Sequence, residues 1–195
     1  MSLDPEQVKS RIQTALGPVK LKPLKDSLLL EEPGDLLKVA GFLRESPDYR
    51  LDYLSSITAV DYLKYLESVY HFYSVEKKLG PLVLRVRVTK SKPAIPSLTA
   101  LYLSAELQER ENYDLFGIVY ENHPDLKRLF LWENFDGHPL RKDYLQEDSE
   151  TLEMADVEWL EKHGVAVPPE AKAAARRLYE DGKRALAPKV REGNA

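Results

Sequence analysis

Residues 81–90, PLVLRVRVTK, alternate so regularly that a strand is the backbone shape that suits them. Leu82, Leu84, Val86 and Val88 take one face while Arg85 and Arg87 take the other, the two-residue period of a strand with one dry side and one wet side. Two more strand candidates precede it, LDYLSSITAVDY and SVYHFYSVEK. The polar connections between the three are short, which favours an antiparallel meander. SLLLEE, at residues 27–32, reads as a further short strand.

Helices surround this core. Asp4 and Pro5 have the chemistry of an N-cap and a first helical position, Val8, Ile12, Ala15 and Leu16 share one face, and Gly17-Pro18 ends the run. A second helix over 35–45 turns Leu36, Leu37, Ala40 and Leu43 inward and stops at Ser46-Pro47. SKPAIP reads as a rigid linker. Ser97 is expected to cap a long helix over 98–116 that Gly117 terminates. The fold class is therefore α+β: a mainly antiparallel sheet flanked by helices, with an extended irregular C-terminal arm. Residues 1–120 form the core domain, 121–145 an arm that packs on a partner protein, and 146–195 a C-terminal extension with helices.

Composition narrows the function. Over 195 residues the formal net charge is −4 and the pI near 5.7, which excludes an overall basic field for nucleic acid. There is no cysteine, so the chain can form no disulfide and hold no iron–sulfur cluster through thiolates. The N-terminal residues lack a signal-peptide core, and no apolar run approaches the roughly 20 residues that cross a bilayer. A chain of this kind is expected to be soluble and to reach a membrane only through another protein.

The stretch ERENYDLFG, residues 109–117, raises the sharpest local question. On a helical projection Leu101, Tyr102, Ala105, Asn112, Tyr113 and Phe116 fall within about 60° of one line, and Glu109 lies about 20° from it. A carboxylate in such a stripe either snorkels to water or needs a partner, because uncompensated burial forces protonation. An arginine, Arg128 or Arg141, or a set of backbone N–H groups would serve. Arg110 and Asp114, four residues apart on the other side, are placed to pair with each other. Leu103 and Leu107 join them there, so that second face is expected to be covered too. Glu111, two residues from Glu109, points elsewhere and cannot share a substrate with it.

Complete catalytic motifs are absent from the sequence: no dinucleotide or phosphate-loop glycine pattern, and no nucleophile elbow. His123-Pro124 and His138-Pro139 lack metal-ligand spacing and read better as turns. Arg141, Lys142 and Asp143 form either a solvated turn or a clamp for a partner's carboxylates. Leu129, Phe130, Leu131, Trp132 and Phe135 put apolar weight into the turn-rich region after residue 120, which favours an arm wrapped on a partner over a disordered tail. The basic terminal helix around Tyr179 could suggest RNA, but such a helix is more often a solvated face.

The words ERENYDLFGIVYENHPDLKRLF and GHPLRKDY, in that order over roughly residues 105–144, resemble the signature of the small peripheral-arm (C-type) subunit of bacterial NADH-quinone oxidoreductase, respiratory complex I. SITAVDYLKYLESVYHFYSV resembles the family's paired-strand region less distinctively. Leu107 departs from the pattern, since many members carry tryptophan there. The resemblance implies an α/β domain with an irregular C-terminal stretch, in a peripheral-arm protein on the cytoplasmic side of the cell membrane. In that family electrons pass from NADH through FMN and iron–sulfur clusters to quinone, coupled to proton translocation. It implies that this chain binds none of those cofactors and no metal, and packs on the hydrogenase-like (D-type) subunit. The interface residues it implies are Glu109, Arg110, Glu111, Asp114, His123, Arg128, Phe130, Trp132, His138, Arg141, Lys142 and Asp143. Trp132, Phe130 and Phe135 would be anchors, and Arg128, Arg141 and Asp143 charge partners. Deleting 121–195 is then expected to leave a folded but unassembled domain. Related complexes with similar subunits are the membrane-bound hydrogenases and the F420H2 dehydrogenase. A stand-alone RNA-binding protein or a hydrolase built on Glu109 and His123 fits the residues less well.

Overall fold

The expected meander stands at the centre of a computed structural model of the chain, which describes residues 3–144 and 154–186. Strands β3 (Tyr53–Asp61), β4 (Tyr65–Ser74) and β5 (Leu79–Thr89) pair antiparallel in sequence order. The strand read from SLLLEE is β2 (Leu28–Leu30), which lies parallel to β5. A strand not anticipated, β1 (Leu21–Pro23), completes a five-stranded sheet of order β1-β2-β5-β4-β3. Helix α1 (Pro5–Leu16) begins as expected, with the Asp4 carboxylate accepting from the Glu6 N–H, and α2 (Leu36–Glu45) ends at Ser46.

The alternation sets the layers. Leu82, Leu84, Val86 and Val88 of β5 face Phe72, Tyr70, Ser68 and Leu66 of β4 across the ladder. Together with Val8 and Ile12 of α1 and Leu36, Val39, Ala40 and Leu43 of α2, the apolar members form one buried cluster. Ala15, expected on the inward face of α1, is exposed. On the opposite sheet face Glu67 is buried beneath two guanidinium groups, Arg85 at 2.8 Å and Arg87 at 2.7 Å. Cross-strand opposite charges of this kind hold the register of β4 and β5.

Two expectations change downstream. The segment read as a rigid linker contains β6 (Ala94–Pro96), which pairs parallel with β7 (Val119–Glu121). The helix read as 98–116 is α3 (Ala105–Phe116), and residues 98–104 are turns. Ser97 does not cap it; the N-cap is Ser104. Gly117 does end it, at φ +71°.

Helix α3 packs on the exposed edge strand β3, and three residues four apart supply the missing ladder. The Ser104 hydroxyl donates to Leu54 O (2.8 Å), the Ile57 N–H donates to Gln108 Oε1 (2.5 Å), and the Asn112 amide donates to Ile57 O (3.3 Å). An unpaired edge is thus satisfied by side chains of one helix face, which blocks pairing with another strand there.

The described residues divide into two units, within Met1–Tyr144 and Leu145–Ala195. The arm through Tyr144 therefore belongs to the same unit as the core. In the second unit α4 (Met154–Lys162) and α5 (Pro169–Leu186) accompany buried Val157, Leu160, Val167 and Ala175. Lys172 pairs with Glu161. No helix among the described residues is long and apolar enough to cross a membrane.

Candidate functional site

The residues singled out in the sequence converge on the last three turns of α3 and the arm that follows. Glu109 is fully buried, as its place in the stripe suggested. Of the partners expected, neither arginine reaches it and one backbone N–H does, joined by a hydroxyl. Oε2 accepts from the Ser97 hydroxyl (2.6 Å) and Oε1 from the Leu98 N–H (2.7 Å). Among the described residues no ion pair reaches it. Burial pushes the carboxyl up to about 7, against the weaker downward pulls of Ser97 and Leu98.

Asp114, five residues on, is equally buried. It does not pair with Arg110. Its Oδ2 accepts from the successive N–H groups of Leu129 (3.0 Å), Phe130 (2.7 Å) and Leu131 (3.0 Å), and its Oδ1 meets Arg128 Nη1 at 2.8 Å. Burial raises this carboxyl too. Here the Leu131 N–H, the Arg128 guanidinium and the Phe130 and Leu129 N–H groups outweigh burial and hold it down at about 2. Arg128 also donates through Nη2 to Phe135 O (2.8 Å) and Gly137 O (3.1 Å). One aspartate and one arginine therefore fold the arm back onto the helix end. Arg110 assists from α3 by donating to Lys127 O (3.2 Å) and Arg128 O (3.1 Å).

The histidines are turn-forming. The Asp125 N–H donates to His123 Nδ1 (3.0 Å), so Nε2 carries the proton and donates to Glu106 O (3.0 Å). His138 donates from Nδ1 to Asp114 O (2.9 Å), and burial lowers its pKa. Its ring lies against Gly117, where a Cβ would strike the His138 ring and the Arg141 guanidinium; the glycine is needed for that approach as well as for its positive φ. Arg141 donates to Phe116 O (2.6 Å). No group of three metal-ligating side chains occurs among the described residues.

The arm's end is fastened by residues the sequence did not flag. Asp61, buried at the end of β3, accepts from Lys90 Nζ (2.8 Å), the Leu63 N–H (2.7 Å) and the Lys142 N–H (2.9 Å), and Lys90 also meets Asp143 at 3.2 Å. No local spacing signals this pair, because the sheet brings residues 61, 90 and 142 together. Arg128 and the exposed Asp143, both expected as charge partners of a neighbour, each also make an ion pair within the chain. Removal of 121–195 would strip Asp114 of all four of its donors, which come from residues 128–131.

Glu111 is exposed, and so are Phe130 (65%) and Trp132 (67%). Trp132 packs edge-on against Phe135 at 4.9 Å between ring centroids, and Phe135 stacks on Tyr144 at 6.1 Å. Leu103, in the turns before α3, and Leu107 on α3 are 84% and 56% exposed, so the second face expected to be covered is not covered by the described residues.

These features lie inside the part of the chain that relatives share. Residues 30–150 match the family described as respiratory-chain NADH dehydrogenase, 30 Kd subunit. The chain belongs to that family. It is 38% identical over 149 residues to the C-type NADH-quinone oxidoreductase subunit of Roseiflexus sp. (strain RS-1), covering 73% of this chain and 85% of that one. It is 36% identical over 138 residues to the same subunit of Chloroherpeton thalassium (strain ATCC 35110 / GB-78), covering 70% and 58%. A chain in the structure of the membrane-bound sulfane sulfur reductase, an archaeal respiratory membrane complex, superposes with a TM-score of 0.57 at 20% identity. That match covers 83% of this chain and 92% of the other, a likeness of fold alone.

Proposed function

We propose that this chain is the small C-type scaffold of a proton-translocating NADH:quinone oxidoreductase, a peripheral-arm protein that binds no redox cofactor itself. Electrons from NADH travel through FMN and iron–sulfur centres to quinone in neighbouring subunits. This chain packs on the hydrogenase-like (D-type) subunit on the cytoplasmic side of the membrane and keeps those neighbours in register. Family membership supports the choice of complex. The observation that carries the positional role is the arm's tip, where Phe130 and Trp132 stand in solvent on backbone that Asp114 and Arg128 lock in place. Rigid, exposed aromatic side chains are the residues that anchor interfaces, and they lose little conformational freedom when covered. Obligate interfaces commonly bury about 2,000 Å² or more, so exposed Leu103, in the turns before α3, and Leu107 on α3 extend the surface a partner would cover.

An affinity-tagged copy of the chain, isolated from the membranes of its own cells, tests this reading. Flavoprotein, iron–sulfur and quinone-module subunits are expected to co-purify. Recovery of the chain alone, or with RNA, contradicts it.

A further inference from the structure

The Glu109 carboxyl sits in a buried polar pocket within the chain. Ser97 and Leu98, in the segment after β6, reach it directly, and the Tyr70 hydroxyl of β4 and the Tyr120 hydroxyl of β7 are close enough to feel its charge. Ser68 and Asn112 bond Tyr120, and Thr99 bonds Ser97. Both tyrosines are held above their ordinary pKa by burial and stay neutral. The neighbouring cations are turned away: Arg110 to the carbonyls of Lys127 and Arg128, and Arg128 to Asp114. The Tyr70 hydroxyl is fully buried and has no hydrogen-bond partner among the described residues. A carboxylate placed here has two donors and, among the described residues, no counter-charge.

The hydroxyls beside it can reverse. Ser97 Oγ lies 2.6 Å from Glu109 Oε2 and 2.8 Å from Thr99 Oγ1, and it accepts the Thr99 N–H at 3.1 Å. With Glu109 ionised, Thr99 donates to Ser97 and Ser97 donates to the carboxylate. With Glu109 protonated, the acid donates to Ser97 and Ser97 donates to Thr99. Both arrangements use the same atoms and leave the Ser97 hydroxyl paired. Thr99 is half-buried beside exposed Ala100, so the chain of hydroxyls ends at the surface.

We propose that Glu109 is a buried proton-binding site, exchanging its proton with water through Ser97 and Thr99, and that this proton controls how often the Ser97–Thr99 segment opens from α3. The transfer balances as a relay. The Glu109 proton passes to Ser97 Oγ, the Ser97 proton to Thr99 Oγ1, and the Thr99 proton to a water or buffer base, leaving the carboxylate behind. An opened segment hydrates the carboxyl and returns it to the ordinary glutamate range. By linkage, opening then becomes about tenfold more frequent for each pH unit between the open and closed pKa values and levels off above the closed one. The site works in the same way whatever the arm docks with.

The test uses the full chain carrying ¹³C-labelled glutamate carboxyls, titrated by NMR, with hydrogen exchange of the Leu98 amide followed in parallel. One carboxyl is expected to titrate near neutrality and to be absent from Glu109→Gln. Leu98 protection is expected to fall about tenfold per pH unit from about pH 5 to 7 in the parent chain and to stay level in Glu109→Gln. Ser97→Ala removes a donor to the charged form and leaves the acid in place, so its midpoint is expected to rise, which keeps the test decisive if Glu109→Gln does not fold. Every glutamate titrating near the ordinary value of about 4.3, a flat Leu98 profile in the parent chain, or an unmoved midpoint in Ser97→Ala overturns the proposal.

Discussion

Glu109 and Asp114 sit on the same helix, five residues apart, and neither shows any surface to water, yet one is driven up to about 7 and the other down to about 2. Burial acts in the same direction on both. The difference is the number of donors each meets: a hydroxyl and one N–H for Glu109, against three N–H groups and an arginine for Asp114. The middle of α3 turns Glu109 toward the segment after β6, which offers it one hydroxyl and one backbone N–H. Its end faces the arm, which has no ladder of its own and turns its N–H groups inward. A buried carboxylate stays ionised where irregular backbone is available to solvate it. In this chain the acid is what gives the irregular arm its shape.

The largest effect should come from breaking the arm's side of that contrast. Asp114→Ala leaves the Arg128 charge and three N–H groups without their acceptor, and it is expected to cost about 3–5 kcal/mol in urea unfolding. A loss below about 1 kcal/mol would mean that the arm is held by something else. The pH dependence of stability should show both acids with opposite signs. Glu109 binds its proton more tightly folded than unfolded, so its contribution falls as pH rises from 4.5 to about 7 and is constant above. The total is of order 3 kcal/mol at about 1.36 kcal/mol per pKa unit. Asp114 binds its proton less tightly folded, so its contribution, about 2 kcal/mol, is complete above 3.8 and is lost as pH falls through about 2. Glu109→Gln reproduces the neutral acid and should remove the decline toward pH 7, matching the parent at about pH 4 and exceeding it at about pH 8. A parallel decline in the variant would assign the slope to other groups. A smaller effect, about 1–3 kcal/mol, is expected for Gly117→Ala, from its positive φ and the displacement of His138. The parent's urea midpoint in that variant would show the approach to be loose.

Much of this was legible beforehand, and the limits have a physical pattern. The alternation in PLVLRVRVTK reports a local period, and it located β5, its faces and the meander. Helical phase is local too, and it put Glu109 in the apolar stripe with burial and snorkelling both open; the structure buries it. What failed was pairing at a distance. Of the two kinds of partner expected at Glu109, the arginines Arg128 and Arg141 serve Asp114 and Phe116 instead, and one backbone N–H, that of Leu98, does reach it. Arg110 and Asp114 have the spacing of an ion pair, but the arm takes both. Asp61 and Lys90 left no trace, because 29 residues of strand and turn separate them. Ser97 was read as a cap, wrongly, since the turns at 98–104 delay the helix by about two turns, and its bond to Glu109 was not foreseen.

The smallest change to the folded chain should have the largest consequence for what it joins. In the double variant Phe130→Ala/Trp132→Ala the Asp114–Arg128 fastening is untouched and both side chains are already exposed, so unfolding is expected to shift by less than about 0.5 kcal/mol. The deciding measurement is how much of that variant is recovered in the intact membrane-associated complex relative to the parent chain, quantified by mass spectrometry. A well-folded chain largely missing from the complex is the predicted result. Full incorporation with undiminished NADH:quinone turnover would contradict the claim that this arm tip is where the chain grips its neighbour.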